Sequence, residues 1–139
     1  MSAYNAIVIA CDDMHVSITG KLALSGVYTG DIVIPAKESL ISQMVLLFLV
    51  DGEIGSIPDS VKIEVMLPGE SPREFSMNLP RPPELNDQVR TSWTLKLPIP
   101  LFQTMLRLGQ IKAGIFYGSE IIEVDGPWIV RATAPFPTS

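Results

Sequence analysis

The sequence predicts an all-β fold, an immunoglobulin-like sandwich of two sheets with one short helix. Apolar residues recur at every second position in many short segments, as in strands that bury one face. The 12 prolines and 10 glycines are scattered between these segments, where they mark turns. This spacing leaves room for about eight to ten strands. A closed barrel has the same periodicity and is the alternative architecture.

The N-terminal third predicts a central strand, a hairpin and a short strand. Residues 3–11 are apolar on both faces toward their end, which indicates a central strand covered on both sides. A hairpin follows, with Met14, Val16 and Ile18 on one strand, a turn at Thr19-Gly20, and Leu22, Leu24 and Gly26 on the other. Ile32–Ile34 forms a short strand that ends at Pro35, because proline lacks the N–H that a ladder requires.

The middle of the chain predicts four more strands. Residues 45–50 form a buried strand that a turn at Asp51-Gly52 closes. Residues 61–67 alternate most strictly, and across a turn at Pro68-Gly69 residues 74–79 supply their hairpin partner. The proline-rich segment 80–87 is a loop. A strand then begins at Trp93, which together with Trp128 is expected to fill the core.

Residues 100–108 interrupt the two-residue period. Their apolar side chains have helical spacing, Pro100 suits a first helical position, and Gly109 suits a C-terminal stop. We therefore expect one or two helical turns that bridge the two sheets. The chain ends with a strand over 111–117, a turn at Gly118-Ser119, a strand through Val124, a turn at 125–127 and a last strand over 128–133.

Size, charge and cysteine content limit the partners and the cell compartment that we expect for this chain. The 139 residues are the size of one domain, 47% of them are hydrophobic, and no linker or repeat divides 1–139. The net charge of −5 repels phosphate backbones, so nucleic acid is not an expected partner. No signal peptide is visible, and the longest apolar run, 44–50, is too short for a bilayer. The single cysteine makes no internal disulfide, which favours a soluble cytoplasmic protein.

Three short motifs near the N-terminus resemble the opening of a family of uncharacterised bacterial proteins. A strand ends in Cys11-Asp12-Asp13, a turn contains Gly20-Lys21-Leu22, and Gly26-Val27-Tyr28 follows before Pro35. The ending around 114–118 is also similar. The resemblance implies a bacterial β-sandwich of unassigned function, and it brings no catalytic residues.

Asp12, Asp13 and His15, beside Cys11, are the candidate metal ligands in this chain. Thiolate, carboxylate and imidazole are ligand types for zinc and other transition metals. Adjacent strand residues point to opposite faces, however, so Cys11 and Asp12 cannot both reach one ion from a straight strand. The competing interpretation is a strand end and an Asx turn, in which Asp12 or Asp13 accepts backbone amides and His15 is exposed.

No catalytic constellation is evident. His15 is the only histidine, and no Gly-x-Ser-x-Gly elbow accompanies it. Acidic loop residues could act in acid–base chemistry or bind calcium, the candidates being Asp51, Glu53, Asp87 and Asp125. They lack the Asp-x-Asp-x-Asp spacing of a calcium loop. We therefore expect no catalytic residue and no cofactor.

Apolar residues outside the clear strands favour an interaction protein. Ile99, Leu101, Phe102 and Phe136 add apolar surface that a small sandwich has little core to hide. The sequence thus predicts a non-enzymatic interaction or structural module that binds a protein partner or forms a homo-oligomer through open sheet edges. The alternative is a small-ligand or calcium binder that uses loop carboxylates near Asp12, Asp13, Asp51 or Asp125.

Overall fold

The chain folds into nine β-strands arranged in two sheets, and its described residues contain no helix. The computed structural model describes residues 5–18, 21–53, 59–79 and 92–132, without the side chains of Glu53, Ser92 and Trp93. The strands are β1 (Asn5–Val16), β2 (Leu22–Val27), β3 (Ile32–Ile34), β4 (Glu38–Glu53), β5 (Ser60–Met66), β6 (Arg73–Asn78), β7 (Ser92–Arg107), β8 (Gly109–Tyr117) and β9 (Glu120–Arg131).

The two sheets pack face to face as a sandwich. The first sheet has the strand order β2-β1-β4-β7 and is antiparallel throughout. The second sheet has the order β3-β9-β8-β5-β6, in which only the β3–β9 pair is parallel. The predicted two-sheet sandwich is therefore confirmed, and the chain is not one closed barrel. Its immunoglobulin-like character stays a prediction.

Strict alternation places one side of each long strand in the core. On β5 the buried residues are Val61, Ile63 and Val65, while Lys62 and Glu64 face outward. The core also takes alternate residues from β4, β7, β8 and β9, and its largest fully buried side chains include Phe48, Leu46, Ile99, Ile115 and Ile129. Burying an aliphatic or aromatic side chain of this size contributes roughly 1.5–3 kcal/mol, so this one layer dominates the stability.

The helix predicted over residues 100–108 is wrong. Residues 92–107 form the single strand β7, which pairs with β4 from Ser92 opposite Glu53 to Arg107 opposite Glu38. Pro98 and Pro100 are compatible with this strand because β7 lies at the edge of its sheet, where a proline nitrogen can face away from the neighbouring strand. Leu101 is buried and Phe102 is 60% exposed, as expected for two faces of a strand.

A break in the alternation explains the misleading helical spacing. Gln103 has a φ of +47°, a left-handed conformation, and the β4–β7 register has no pairing between Ser42 and Gln103. Before this point the odd-numbered residues of β7 face the core, ending with Leu101. After Gln103 the even-numbered residues Thr104 and Leu106 face the core. One left-handed residue therefore exchanges the two faces of the strand.

Two predicted turns and one predicted core residue are also corrected. Asp51-Gly52 lies within β4 and keeps its pairing with β7. Asp125-Gly126-Pro127 lies within β9, where the β8–β9 register shifts and Gly126 and Pro127 have no partner in β8, as in a β-bulge. Trp128 is 52% exposed, so it does not fill the core. The Thr19-Gly20 turn, the loop at 80–87, the Trp93 side chain, Asp87 and the tail with Phe136 lie outside the described residues.

The predicted hairpins are confirmed where alternation is strict. β1 pairs with β2, β5 pairs with β6, and β8 pairs with β9, all antiparallel. Within the described part of the chain, no helix has the length and apolar character needed to cross a membrane.

Candidate functional site

The first candidate region is the point where β1 and β4 separate. β1 pairs with β4 from Asn5 opposite Asp51 to Cys11 opposite Val45 and has no partner in β4 beyond Cys11. β1 continues with β2 alone, so residues 13–18 and 21–25 form a two-stranded projection, here called the arm. On the other side, β4 continues with β7 down to Glu38.

Asp12, Gly26 and Tyr28 form one packed unit at the base of the arm. Gly26 has a φ of +66°, and the carboxylate of Asp12 lies over its α-carbon, where a β-carbon would come 2.6 Å from Cγ of Asp12. The hydroxyl of Tyr28 donates to Oδ1 of Asp12 at 3.2 Å, and the Tyr28 amide donates to the Ala10 carbonyl at 2.9 Å. This position therefore needs glycine, both for its backbone conformation and for the space.

Asp13 binds three neighbours and acts as a local structural residue. Its Oδ1 accepts the Met14 amide at 2.8 Å and Nε2 of Gln43 at 3.0 Å. Its Oδ2 lies 3.1 Å from Nε2 of His15, whose side chain is 71% exposed. The bond to a backbone amide and the exposed imidazole agree with the competing interpretation. The predicted strand end and Asx turn are wrong, because Asp12 and Asp13 lie inside β1 and the bonded amide is one residue on, whereas an Asx turn bonds the backbone two residues on. The Gln43 contact spans the gap that opens between β1 and β4.

Cys11 is fully buried on the opposite side of β1 from Ala10. Burial raises the pKa of its thiol above the ordinary value, and the negative charges of Asp12 and Asp13 raise it further. The thiol is therefore held protonated, which is the opposite of what a nucleophile or a thiolate metal ligand requires.

The structure does not gather the candidate acids into one cation site. Within the described residues, no group of three or more histidine, cysteine, aspartate and glutamate side chains could hold a metal ion. Asp51 accepts a hydrogen bond from Thr94 at 2.8 Å on the first sheet, whereas Asp125 lies on β9 of the second sheet. Asp12 and Asp13 bond to different partners at the base of the arm.

Sequence reasoning missed a charged cluster that joins the two sheets. Arg73 donates to Oγ1 of the buried Thr104 at 3.2 Å and lies 3.0 Å from Glu70. Arg107 lies 3.4 Å from Glu38 and 3.8 Å from Glu70. The two arginines are 34 positions apart in the sequence, so only the folded chain brings them together. This cluster links β7 of the first sheet to the β5–β6 connection of the second.

Two shallow depressions lie on the surface of the sandwich. One has a volume of about 440 Å³, lies where β1 and β4 separate, and is here called the cleft; it is lined by Asp12, Asp13, Tyr28, Leu40, Ile41, Ser42 and Gln43. The other, about 310 Å³, lies on the outer face of the second sheet around Gly114, with Phe116 and Ile121 beside it and Glu64 and Glu123 across from it. No local sequence signal marks either depression, because each is built from strands distant in sequence.

The apolar face of the arm is the most unusual surface of the described chain. Met14 pairs with Leu24 and Val16 pairs with Leu22, so these four side chains share one face, with Ile18 following at the tip. Val16 is 63% exposed and Ile18 is fully exposed. The opposite face carries His15, Ser17, Ala23 and Ser25. The sequence pattern did predict this division into an apolar and a polar face, and the structure adds that nothing in the described chain covers the tip.

The chain matches no known protein family, no curated protein and no solved structure. The class that the fold and these sites define is therefore a two-sheet β-sandwich with a projecting, amphipathic two-stranded arm.

Proposed function

We propose that this chain is a non-catalytic interaction module that self-associates through the arm. The observation that carries the proposal is the end of the arm's apolar face, where Val16 is 63% exposed and Ile18 is fully exposed, while Met14, Leu22 and Leu24 are half-buried. Isolated two-stranded ribbons are marginally stable in water, and they gain stability when their apolar face packs against another surface. A second copy of the chain supplies such a surface.

The chemistry of the remaining residues supports a binding role rather than catalysis. The single histidine is exposed on the polar face of the arm, beside Asp13 and open to water. General acid–base catalysis depends on a group whose pKa is tuned within a shielded site. The thiol of Cys11 is buried and its pKa is raised, so it is a poor nucleophile. A lone, buried cysteine also fits the reducing cytoplasm.

The test is the molar mass in solution as a function of protein concentration. Light scattering on a size-exclusion column is expected to show a mass that rises from one chain toward two. The double variant Val16→Ser/Ile18→Ser removes two apolar side chains from the interface, each worth roughly 1.5–3 kcal/mol when buried. We expect its dissociation constant to rise by at least about tenfold.

Val33→Ser is the matched control, because Val33 is 51% exposed on β3 of the second sheet. It removes a similar apolar side chain away from the arm and is expected to leave the mass unchanged. A wild-type chain that stays monomeric at every concentration contradicts the proposal, as does equal weakening by the arm and control variants.

A further inference from the structure

The arm and the cleft lie next to each other, and their surfaces are complementary. The cleft presents one apolar side chain that the fold leaves accessible, Leu40, which is 59% exposed, while Ile41 packs against the core. The arm ends in Ile18, which is fully exposed. Each surface therefore gains from burial, and a volume of about 440 Å³ is large enough to receive side chains from a hairpin tip.

One charge near the end of the arm is opposite in sign to the charges of the cleft. The carboxylates of Asp12 and Asp13 line the cleft. Lys21, which follows the tip of the arm, is exposed. A strand or hairpin end that enters the cleft with a cation beside its apolar side chains would find both an apolar wall and an acidic rim.

The backbone at the cleft has unpaired strand edges. Within the described residues, β1 beyond Cys11 pairs only with β2, and the Glu38–Gln43 part of β4 pairs only with β7. The Met14 amide on the β1 edge bonds to Asp13, and Gln43 reaches across to the same carboxylate. The other backbone groups of these two edges have no neighbouring strand on the cleft side and could pair with an incoming segment, as in other cases of strand addition.

We infer that the arm tip of one copy occupies the cleft of a second copy, and that the exchange is reciprocal. A two-fold axis brings the same patch of each molecule together, so a contact from arm to cleft is repeated from the second copy to the first. The adjacency of arm and cleft in one molecule allows both contacts to form around a single axis. This inference rests on the proposed self-association and adds the location and geometry of the interface.

Disulfide crosslinking between two differently tagged, co-expressed copies tests the geometry. Cys11→Ala provides a background without the native thiol. One copy carries Ile18→Cys and the other carries Leu40→Cys, both at exposed positions where folding should be preserved and can be checked by thermal unfolding. Under mild oxidation we expect a mixed crosslinked dimer that contains both tags. Val33→Cys replaces Leu40→Cys in the control pair, which should give no mixed dimer.

A charge substitution gives a second, independent measurement. Leu40→Asp adds a third carboxylate to a cleft that already holds Asp12 and Asp13 and also removes an apolar contact. We expect the dimer dissociation constant to rise by about tenfold or more, whereas Val33→Asp on the second sheet should leave it unchanged.

The possible outcomes separate the inference from the proposed function. A dimer in which Ile18→Cys crosslinks only to Ile18→Cys means that the arms stack on each other; it overturns the inference and preserves self-association. A dimer with neither crosslink places the interface elsewhere on the chain and also overturns the inference. A monomer at all concentrations overturns the proposed function itself.

Discussion

At the scale of single residues, the base of the arm is specified by Asp12, Gly26 and Tyr28. Asp12 on β1 and the segment Gly26–Tyr28 are distant in the sequence and meet here in direct contact. The left-handed backbone of Gly26 and the carboxylate lying above it are two separate requirements for glycine. Packing and backbone geometry therefore account for the contact of these three residues.

Substitution of Gly26 tests this explanation. Gly26→Ala places a β-carbon against the Asp12 carboxylate and in a left-handed conformation that costs an L-residue roughly 1–2 kcal/mol. We expect the free energy of unfolding to fall by about 1–3 kcal/mol in chemical denaturation. Gly30→Ala is the control, since no atom lies within 4 Å of its added β-carbon. Equal stability of the two variants would show that the packed unit is not required.

Tyr28 makes the stability depend on alkaline pH. Burial raises the pKa of its hydroxyl, and the charge of Asp12 and the hydrogen bond to it raise the pKa further. The pKa of Tyr28 is therefore higher in the folded state than in the unfolded state. The stabilisation that the neutral hydroxyl gives to the folded chain is complete below the ordinary tyrosine pKa of about 10. It is then lost as the pH rises through the folded-state value.

Tyr28→Phe removes the titrating group and isolates this effect. At neutral pH we expect a loss of about 0.5 kcal/mol, at the low end for a hydrogen bond because the pair is exposed. Between pH 8 and 11 the unfolding free energy of the wild-type chain should fall more steeply than that of the variant. The measurement is urea denaturation at each pH. Parallel pH profiles for the wild-type chain and Tyr28→Phe would show that Tyr28 is not the source of the pH dependence.

At the scale of elements, the strand β7 shows how one residue can change the faces of a strand. Gln103 adopts a φ of +47° and lies opposite the unpaired Ser42. Glutamine tolerates this conformation at a cost, asparagine tolerates it better, and a β-branched residue is poorly suited to it. We therefore expect the free energy of unfolding to be highest with asparagine at position 103, lower with glutamine and lowest with a β-branched residue.

Three substitutions on β7 test the conformational cost. Gln103→Asn should raise the melting temperature slightly, and Gln103→Val should lower the unfolding free energy by about 1 kcal/mol or more. Lys96→Val is the control for added β-branching, because Lys96 is exposed on the same strand in extended pairing with Leu49. Equal free energies of unfolding for Gln103→Val and Lys96→Val would contradict a conformational cost at position 103.

Strict alternation was enough to predict some elements but not others. β5 and β8 keep a two-residue period over their whole length, so their position and buried faces follow from the sequence. β7 was mistaken for a helix because the shift of faces at Gln103 places apolar residues at helical spacing. Asp51-Gly52 has turn residues within a strand, where pairing with β7 overrides local preference. The turn residues of 125–127 mark an irregularity in β9 and not its end, because the register with β8 shifts there.

At the scale of the whole molecule, the sites depend on contacts between distant segments. The local role of Asp13 beside Met14 could be predicted, because it needs only neighbouring residues. The cleft combines β1 with β4, and the charged cluster combines Arg73 with Arg107, so neither is visible to a reading of local pattern. The amphipathic pattern of the arm was visible, but its projection beyond β4 follows only from the register.

The prolines of β7 make the two borders of the first sheet unequal. β2 and β7 are these borders, and Pro98 and Pro100 remove two amide donors from the β7 border, whereas residues 22–27 of β2 include no proline. A further strand that approached β7 would find those two donors missing. Backbone pairing with another chain is therefore disfavoured along this part of β7.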